Sequence, residues 1–233
     1  MPARPTSRPK TRRSALNMPI ATRSKICGLT RVQDVDAAVA AGADALGLVF
    51  YPPSARYVDL PTASNLARHV PPLVSVVGLF VNAQPELVWK TLAAVPIHLL
   101  QFHGDEDEAY CQQFARPYIK AARVRPGVDL LQYAAAFPSA QAILLDAFVP
   151  GFGGGGAVFD WSLIPTTLSR PIILSGGLHA ENVAAAIRRV RPAAVDVSSG
   201  VEMDPAQTGG HKGLKDAEKM RAFVAAVRSA DLS

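Results

Sequence analysis

The 233-residue chain has few cysteines and no long apolar segment, and both shortages limit what it can be. Its two cysteines, Cys27 and Cys111, cannot form the disulfide framework of a small secreted domain. No spacing of histidine, cysteine and acidic residues resembles a metal-binding motif, so we expect no metal. No apolar run reaches the roughly 18 residues of a membrane-spanning helix. These absences predict a cytoplasmic protein that does not span a membrane.

Acidic residues are absent from the first 17 positions, which carry five of the 24 basic residues. The other 19 basic residues are matched by 19 acidic ones, so residues 18–233 are formally neutral. Several prolines and the lack of apolar periodicity predict that residues 1–22 form a disordered basic extension. An organelle-import helix is one interpretation of this extension, although its prolines oppose it, and a start at Met18 is the simpler one. Because the excess charge lies in the extension, it does not predict nucleic-acid binding by the rest of the chain.

From residue 23 onward, short apolar runs alternate with amphipathic segments. The predicted strands are Ser24–Gly28, Ala45–Tyr51, Val74–Val81, Ile97–His103, Tyr118–Val124, Ala142–Ala147, Pro171–Ser175 and Ala194–Ser198. The predicted helices are Arg31–Ala41, Thr62–Val70, Pro85–Ala94, Asp105–Ala115, Leu130–Ala136, Trp161–Leu168, Ala180–Val190 and Lys215–Arg228. Continuous apolar strands are typical of parallel sheets that are buried on both faces.

Eight such units in roughly 210 residues predict an α/β fold, a single (β/α)8 TIM barrel over residues 23–233. An open doubly wound sheet is the alternative fold. Its Gly-x-Gly-x-x-Gly fingerprint is missing after the first strand, where the sequence contains only one glycine, Gly28.

In a barrel of this kind, the active site lies at the carboxyl ends of the strands. Glycine-rich turns follow the last two strands, and they contain Gly176, Gly177, Ser199 and Gly200. Glycines let backbone N–H groups approach an anion, and loops after strands seven and eight commonly bind phosphate. A glycine-rich turn taken alone is usually just a turn, but two of them at adjacent strand ends favour a phosphate site.

Two residues at strand ends are candidates for proton transfer. Asp146 follows three apolar residues, and a carboxyl group in poor solvent retains its proton and suits a general acid. The alternative is an aspartate that caps the next loop. Cys27 ends the first strand, where it is either a small buried hydrophobic residue or a base whose thiolate is stabilised by the positive potential of a phosphate site.

Three further features lie in the loops after the strands. Arg56 is either a surface charge or a planar clamp for a carboxylate. His103 is either a structural residue or one that hydrogen-bonds to substrate or transfers protons. The run Gly153–Gly156 has little conformational preference of its own, which predicts a mobile loop or lid.

These residues lie in a series of motifs that resembles one known family. The motifs are Lys25-Ile26-Cys27-Gly28-Leu29-Thr30, Gly47–Pro52 with Ser54, Arg56 and Tyr57, Val77–Asn82, Gln101–Gly104, Leu144–Asp146, Phe159–Trp161, Leu174–Leu178 and Val195–Glu202. In this order they resemble the phosphoribosylanthranilate isomerase family of tryptophan biosynthesis. The sequence departs from the family pattern at Phe102 and Gly155 and in a longer segment over residues 203–213.

The resemblance implies an enzyme, a cofactor-free aldose–ketose isomerase. It would convert N-(5-phosphoribosyl)anthranilate to 1-(2-carboxyphenylamino)-1-deoxyribulose 5-phosphate by an Amadori rearrangement. Residues carried over from the family would have these roles: Asp146 the general acid, Cys27 the general base, Arg56 the anthranilate-binding residue, His103 and Asp196 supporting substrate contacts, and Gly176, Gly177, Ser199 and Gly200 the phosphate site.

The expected partner is a small phosphosugar, not a nucleic acid or a membrane, and the protein is expected to be a monomer or a homodimer. Two other functions are alternatives. A related barrel isomerase of histidine biosynthesis is expected to have aspartates at the ends of strands one and five, where this chain has Cys27 and Arg123. A non-catalytic phosphosugar-binding barrel, docked through its basic extension, would not need both Cys27 and Asp146.

Overall fold

A computed structural model describes residues 21–148 and 158–232, and within these ranges eight parallel strands close into a barrel. The strands are β1 (Arg23–Cys27), β2 (Ala45–Val49), β3 (Ser75–Phe80), β4 (Leu99–Phe102), β5 (Tyr118–Val124), β6 (Ala142–Ala147), β7 (Ile172–Leu174) and β8 (Ala194–Val197). Each strand pairs with the next along the chain, and β1 pairs with β8. The predicted closed barrel is therefore confirmed, and the open sheet is excluded.

The helices that follow the strands cover the outside of the barrel. They are α1 (Val32–Ala41), α2 (Leu60–Arg68), α3 (Pro85–Ala94), α4 (Glu108–Gln112), α5 (Leu130–Ala135), α6 (Ala180–Val190) and α7 (Ala217–Ala230). Short 3-10 turns span Trp161–Leu163, Ser199–Val201 and Pro205–Gln207. In the part of the chain that the structure describes, none of the helices is both long and apolar enough to cross a membrane.

Alternation along each strand separates two apolar regions. On β1, Ile26 packs into the large cluster between strands and helices, while Cys27 belongs to a small cluster with Val49 and Leu79 inside the barrel. The same alternation on β6 directs Ile143 towards the helices and Ala142 into the barrel interior. Side chains an even number of positions from Cys27 on β1, or from Ala142 on β6, therefore point into the barrel interior. The last such side chain on each strand faces the mouth of the barrel.

The helix predicted over Trp161–Leu168 is wrong, because only a single 3-10 turn forms at Trp161–Leu163. Ile164 is extended, with φ −82° and ψ 119°. The next residue, Pro165, has no backbone N–H and disfavours a helical conformation in the residue before it. This side of the barrel between β6 and β7 is therefore covered by less helix than the pattern of apolar residues suggested.

Parts of the predicted organisation lie outside the described residues. These are positions 1–20 of the basic extension and the glycine run Gly153–Gly156. At the edge of the described region, the backbone N–H and the hydroxyl of Thr22 donate hydrogen bonds to the Asp231 carboxylate, each at 2.7 Å. The chain is therefore attached to the end of α7 from Thr22 onward.

Truncation of a core side chain tests the packing of the barrel against its helices. Leu46 on β2 is 1% exposed, so Leu46→Ala should lower the free energy of unfolding by about 2–5 kcal/mol. Leu131 on α5 is 49% exposed, and Leu131→Ala is the matched control, with an expected change within about 0.5 kcal/mol. Urea denaturation measures both, and equal losses in the two variants would contradict this packing.

Candidate active site

The predicted site residues lie at the carboxyl end of the barrel, except Asp196, which lies deeper in β8. Cys27 and Asp146 are in the last two positions of β1 and β6, and Asp196 is in β8. The remaining ones follow strands: Arg56 comes after β2, His103 after β4, Gly176 and Gly177 after β7, and Ser199 and Gly200 after β8. Because all eight strands are parallel, their carboxyl ends form one mouth, and the sequence prediction of a shared site is consistent with this geometry.

The Cys27 thiol is buried against β2. Cys27 pairs in register with Gly47, and a Cβ atom at Gly47 would lie 2.6 Å from the Cys27 Sγ. Burial raises the pKa of the thiol above its ordinary value, and the positive charge of Lys25 opposes this shift only in part. The thiolate is therefore less favoured than the expected positive potential of a phosphate site suggested.

Lys25 and Asp196 form a buried ion pair below the thiol. The two residues are register partners on β1 and β8, and the Lys25 Nζ lies 2.8 Å from the Asp196 Oδ1. Lys25 lies two positions before Cys27 on β1, so both side chains face the interior of the barrel. Asp196, predicted as a substrate contact, thus has a partner inside the protein, and it holds the ammonium group that stabilises the thiolate.

Asp146 is buried, and both of its carboxylate oxygens have a polar neighbour. Its Oδ1 accepts from the backbone N–H of Ala147 at 2.9 Å, and its Oδ2 lies 3.2 Å from the His103 Nε2. On the other side of the imidazole, the His103 Nδ1 lies 3.0 Å from the Gln101 Nε2. A chain of contacts therefore runs from the barrel interior to the carboxyl group, and it fixes both the acid and the histidine in place.

Gln101 is a site residue to which the sequence analysis assigned no role. It is fully buried, and its side-chain oxygen has no hydrogen-bond partner among the described residues. Its signal in the sequence is a spacing of two residues: Gln101 lies in β4 and His103 directly follows the strand, so the alternation of side chains points both into the barrel.

Arg56 is held by an acidic residue that the sequence analysis did not single out. The Arg56 Nε donates to the Glu202 Oε1 at 2.6 Å, and the Lys215 Nζ lies 3.2 Å from the same oxygen. Burial alone would raise the pKa of Glu202, but the Arg56 hydrogen bond and the Lys215 charge outweigh it, and the pKa is lowered. Glu202 is therefore a carboxylate shared between two cations.

Lys215 could not be assigned to the site from its position in the sequence. It lies 13 residues after Glu202, and the chain returns to bring the two together in an isolated antiparallel bridge. Burial lowers the pKa of Lys215 to about 8, although the Glu202 charge opposes this.

The two glycine turns after β7 and β8 are closely packed. Gly176 and Gly177 have φ values of +83° and +60°, which L-residues other than glycine rarely adopt. A Cβ atom at Gly200 would lie 1.9 Å from the backbone oxygen of Leu178, so only glycine lets the turn after β8 approach the turn after β7 this closely. The two turns therefore form one continuous stretch of backbone at the mouth.

Comparisons with known proteins agree on one family. The family model described as N-(5′-phosphoribosyl)anthranilate (PRA) isomerase matches residues 24–226. N-(5′-phosphoribosyl)anthranilate isomerase of Dechloromonas aromatica (strain RCB) is 64% identical over 212 residues, which cover 91% of this chain and 99% of that protein. The Leptothrix cholodnii isomerase of the same name is 61% identical over 213 residues, which cover 91% of this chain and 94% of that protein.

Solved structures show the same relationship. Phosphoribosyl anthranilate isomerase from Thermotoga maritima has a TM-score of 0.80 and 40% identity, covering 89% of this chain and 99% of that one. A second structure, of a phosphoribosyl anthranilate isomerase in complex with reduced 1-(o-carboxyphenylamino)-1-deoxyribulose 5-phosphate, has a TM-score of 0.77 and 38% identity, with the same coverage.

The electrostatics of the thiol can be measured by the pH dependence of its alkylation. In a Cys111→Ala background, we expect iodoacetamide to react with Cys27 with a midpoint above pH 9.0, the ordinary value for a thiol, because burial raises the pKa. Lys25→Met should move the midpoint higher still, because the positive charge near the thiolate is lost.

The double variant Lys25→Met/Asp196→Asn is the control for an unpaired buried carboxylate. It should also raise the midpoint, because the Lys25 charge acts on the thiol more strongly than the Asp196 charge does. A midpoint below pH 9.0, or one lowered by either variant, would contradict this account of the site.

Proposed function

The chain belongs to the N-(5′-phosphoribosyl)anthranilate isomerase family, and we propose that Cys27 and Asp146 are the base and the acid of its reaction. The protein is an isomerase of tryptophan biosynthesis. Its reaction converts N-(5-phosphoribosyl)anthranilate to 1-(2-carboxyphenylamino)-1-deoxyribulose 5-phosphate. The histidine-pathway isomerase is not favoured, since the relatives that are 64% and 61% identical are both named N-(5′-phosphoribosyl)anthranilate isomerase.

One topological observation supports these roles. In the ring of strands, β7 and β8 lie between β6, which carries Asp146, and β1, which carries Cys27. A phosphate bound at the turns after β7 and β8 would therefore be flanked by the acid on one side and the base on the other. A ribose attached to that phosphate would extend between the two groups.

The acid acts first in this scheme. Asp146 donates its proton to the ribose ring oxygen, the bond from that oxygen to C1′ breaks, and the anthranilate nitrogen forms a Schiff base with C1′. The contacts from His103 Nε2 and the Ala147 N–H hold the carboxyl group in one orientation for this transfer.

The base acts second. The Cys27 thiolate removes the proton from C2′, and the electron pair moves into the C1′–C2′ bond, which gives an enolamine. Protonation at C1′ and loss of the hydroxyl proton at C2′ then give the ketone. The Schiff base is positively charged, so it favours the nearby thiolate and adds to the effect of Lys25 in offsetting the cost of burial.

Arg56 would bind the anthranilate end of the substrate. The guanidinium uses Nε to bond to Glu202, and its other nitrogens form the planar edge that suits a carboxylate. The arginine side chain packs over Gly28, where a Cβ atom would lie 2.5 Å from the Arg56 Cδ. This contact places Arg56 beside the end of β1 and therefore beside the proposed base.

The substrate class is a small phosphosugar, in keeping with the ligand of the related structure. We also propose that the protein is a monomer or a homodimer and that it acts in the cytoplasm. A related structure shows monomers that were generated from the dimeric isomerase of Thermotoga maritima, so that protein has been obtained in both states. The reaction as written requires no metal or cofactor.

Substitution of either proposed catalytic residue should abolish turnover. We expect Cys27→Ser and Asp146→Asn each to reduce kcat by about 10²-fold or more, while inorganic phosphate binds nearly as before, because binding and proton transfer use different groups. The loss of anthranilate fluorescence measures turnover in a mixture that generates the substrate in place.

Matched controls separate chemistry from packing. Cys111→Ser alters the other buried cysteine, and Asp36→Asn alters an exposed aspartate on α1; both should leave kcat within about threefold. Full activity in Cys27→Ser or Asp146→Asn would overturn the assignment of base or acid. Absence of turnover by the unaltered protein would overturn the proposed reaction itself.

A further inference from the structure

The ammonium group of Lys215 is fully buried at the edge of the active site. Its side chain has 0% exposure, and its Nζ contacts three acceptors: the Ser198 backbone oxygen at 3.0 Å, the Ser198 Oγ at 3.2 Å and the Glu202 Oε1 at 3.2 Å. An ammonium group has three N–H donors, so these contacts match its full capacity. Lys215 is thus enclosed by the protein and is not placed to touch a ligand.

Each acceptor leads to a different part of the site. The Ser198 Oγ donates at 3.0 Å to the backbone oxygen of Cys27, at the end of β1. Ser198 also immediately precedes the turn Ser199–Val201, one of the two turns assigned to phosphate. Glu202 holds the Arg56 Nε at 2.6 Å. One ammonium group therefore connects the strand of the base, the phosphate turn and the arginine.

We propose that Lys215 is a positioning residue that keeps Arg56 and the phosphate turn at a fixed separation, so that one substrate is held by its carboxylate and its phosphate together. This inference rests on the proposed function, because it takes Arg56 as the anthranilate-binding residue. Lys215 acts through Glu202 and Ser198, and the reacting atoms lie elsewhere.

The backbone at Lys215 is fixed independently of its side chain. The Met203 N–H donates to the Leu214 oxygen, and the Asp216 N–H donates to the Val201 oxygen, each at 2.9 Å. The Lys215 N–H also reaches the Asp34 Oδ2 at 3.4 Å. A substitution of the Lys215 side chain therefore removes the ammonium contacts and leaves the return of the chain in place.

The positioning depends on the charge of Lys215. A neutral amine has one donor fewer and cannot satisfy all three acceptors, and it leaves the Glu202 charge to Arg56 alone. The charged groups that face Lys215 are Glu202, Arg56 and Cys27. Burial and the Arg56 charge lower the pKa of Lys215 to about 8, while Glu202 and Cys27 oppose this shift. The ammonium is thus present below about pH 8, and substrate affinity should fall as the pH rises through that value.

The test is the affinity for reduced 1-(o-carboxyphenylamino)-1-deoxyribulose 5-phosphate, the ligand of the related structure, measured by calorimetry from about pH 7 to 9.5. Its phosphate is already doubly ionised there, since the second pKa of a phosphate ester is about 6. A Cys27→Ser background prevents the thiol from titrating in the same range. We expect affinity to fall about tenfold across about pH 8, a coupling of ordinary size.

Lys215→Met should bind the ligand about tenfold more weakly at pH 7 and show no further fall at higher pH. In the chain with Cys27 intact, the same substitution should raise KM by a similar factor and leave kcat within about threefold. Lys90→Met is the matched control, because Lys90 is an exposed lysine on α3, outside the proposed site. It should keep both the affinity and its pH dependence.

Glu202→Gln provides an independent test should Lys215→Met not fold. The amide retains an oxygen for Lys215 and Arg56 but removes the charge that holds the ammonium protonated, so the fall in affinity should move to lower pH. The proposal is overturned if the fall in ligand affinity occurs at the same pH in Glu202→Gln as in the unaltered protein. It is also overturned if Lys215→Met keeps the pH dependence of the affinity, or binds the ligand as tightly as the unaltered protein. Ligand binding that depends on Lys215 without any turnover would instead overturn only the proposed reaction.

Discussion

The buried ion pair between Lys25 and Asp196 is the contact on which the site depends, because it spans the seam where the barrel closes. Its ammonium group lies on the same strand and the same face as the Cys27 thiol, and it favours the thiolate that burial opposes. Removing one partner of a buried pair typically costs about 3–5 kcal/mol, because the other charge remains without compensation. Closure of the barrel and the ionisation of the proposed base thus depend on one interaction.

The order of the strands places the proposed acid and the proposed base on opposite sides of the proposed phosphate site. Asp146 is fixed by His103 and its own backbone, while Cys27 is fixed by its packing against Gly47. Each of the two groups has its own supporting residues. This separation suits a reaction in which one group gives a proton to the ring oxygen and the other takes a proton from C2′.

Local patterns predicted most of the fold. The bounds of β5, β6, α3 and α6 agree with the sequence prediction to the residue, because these segments combine clear apolar patterns with definite ends. The helix after β6 was wrong because Pro165 ends it after one turn. For the site, residues at strand ends were predictable, since parallel strands bring their carboxyl ends together. The Glu202–Lys215 contact was not, because it depends on the path of the chain between the two residues.

The central claim is that Cys27 and Asp146 act on opposite sides of the ribose, and a crystal structure with reduced 1-(o-carboxyphenylamino)-1-deoxyribulose 5-phosphate tests it most directly. We predict the Cys27 Sγ within about 4 Å of C2′, close enough for proton transfer, and an Asp146 carboxylate oxygen within about 3.2 Å of the oxygen derived from the ring. The phosphate should lie at the turns after β7 and β8. A ligand bound with C2′ facing away from Cys27, or with both residues on the same side of the sugar, would contradict the account.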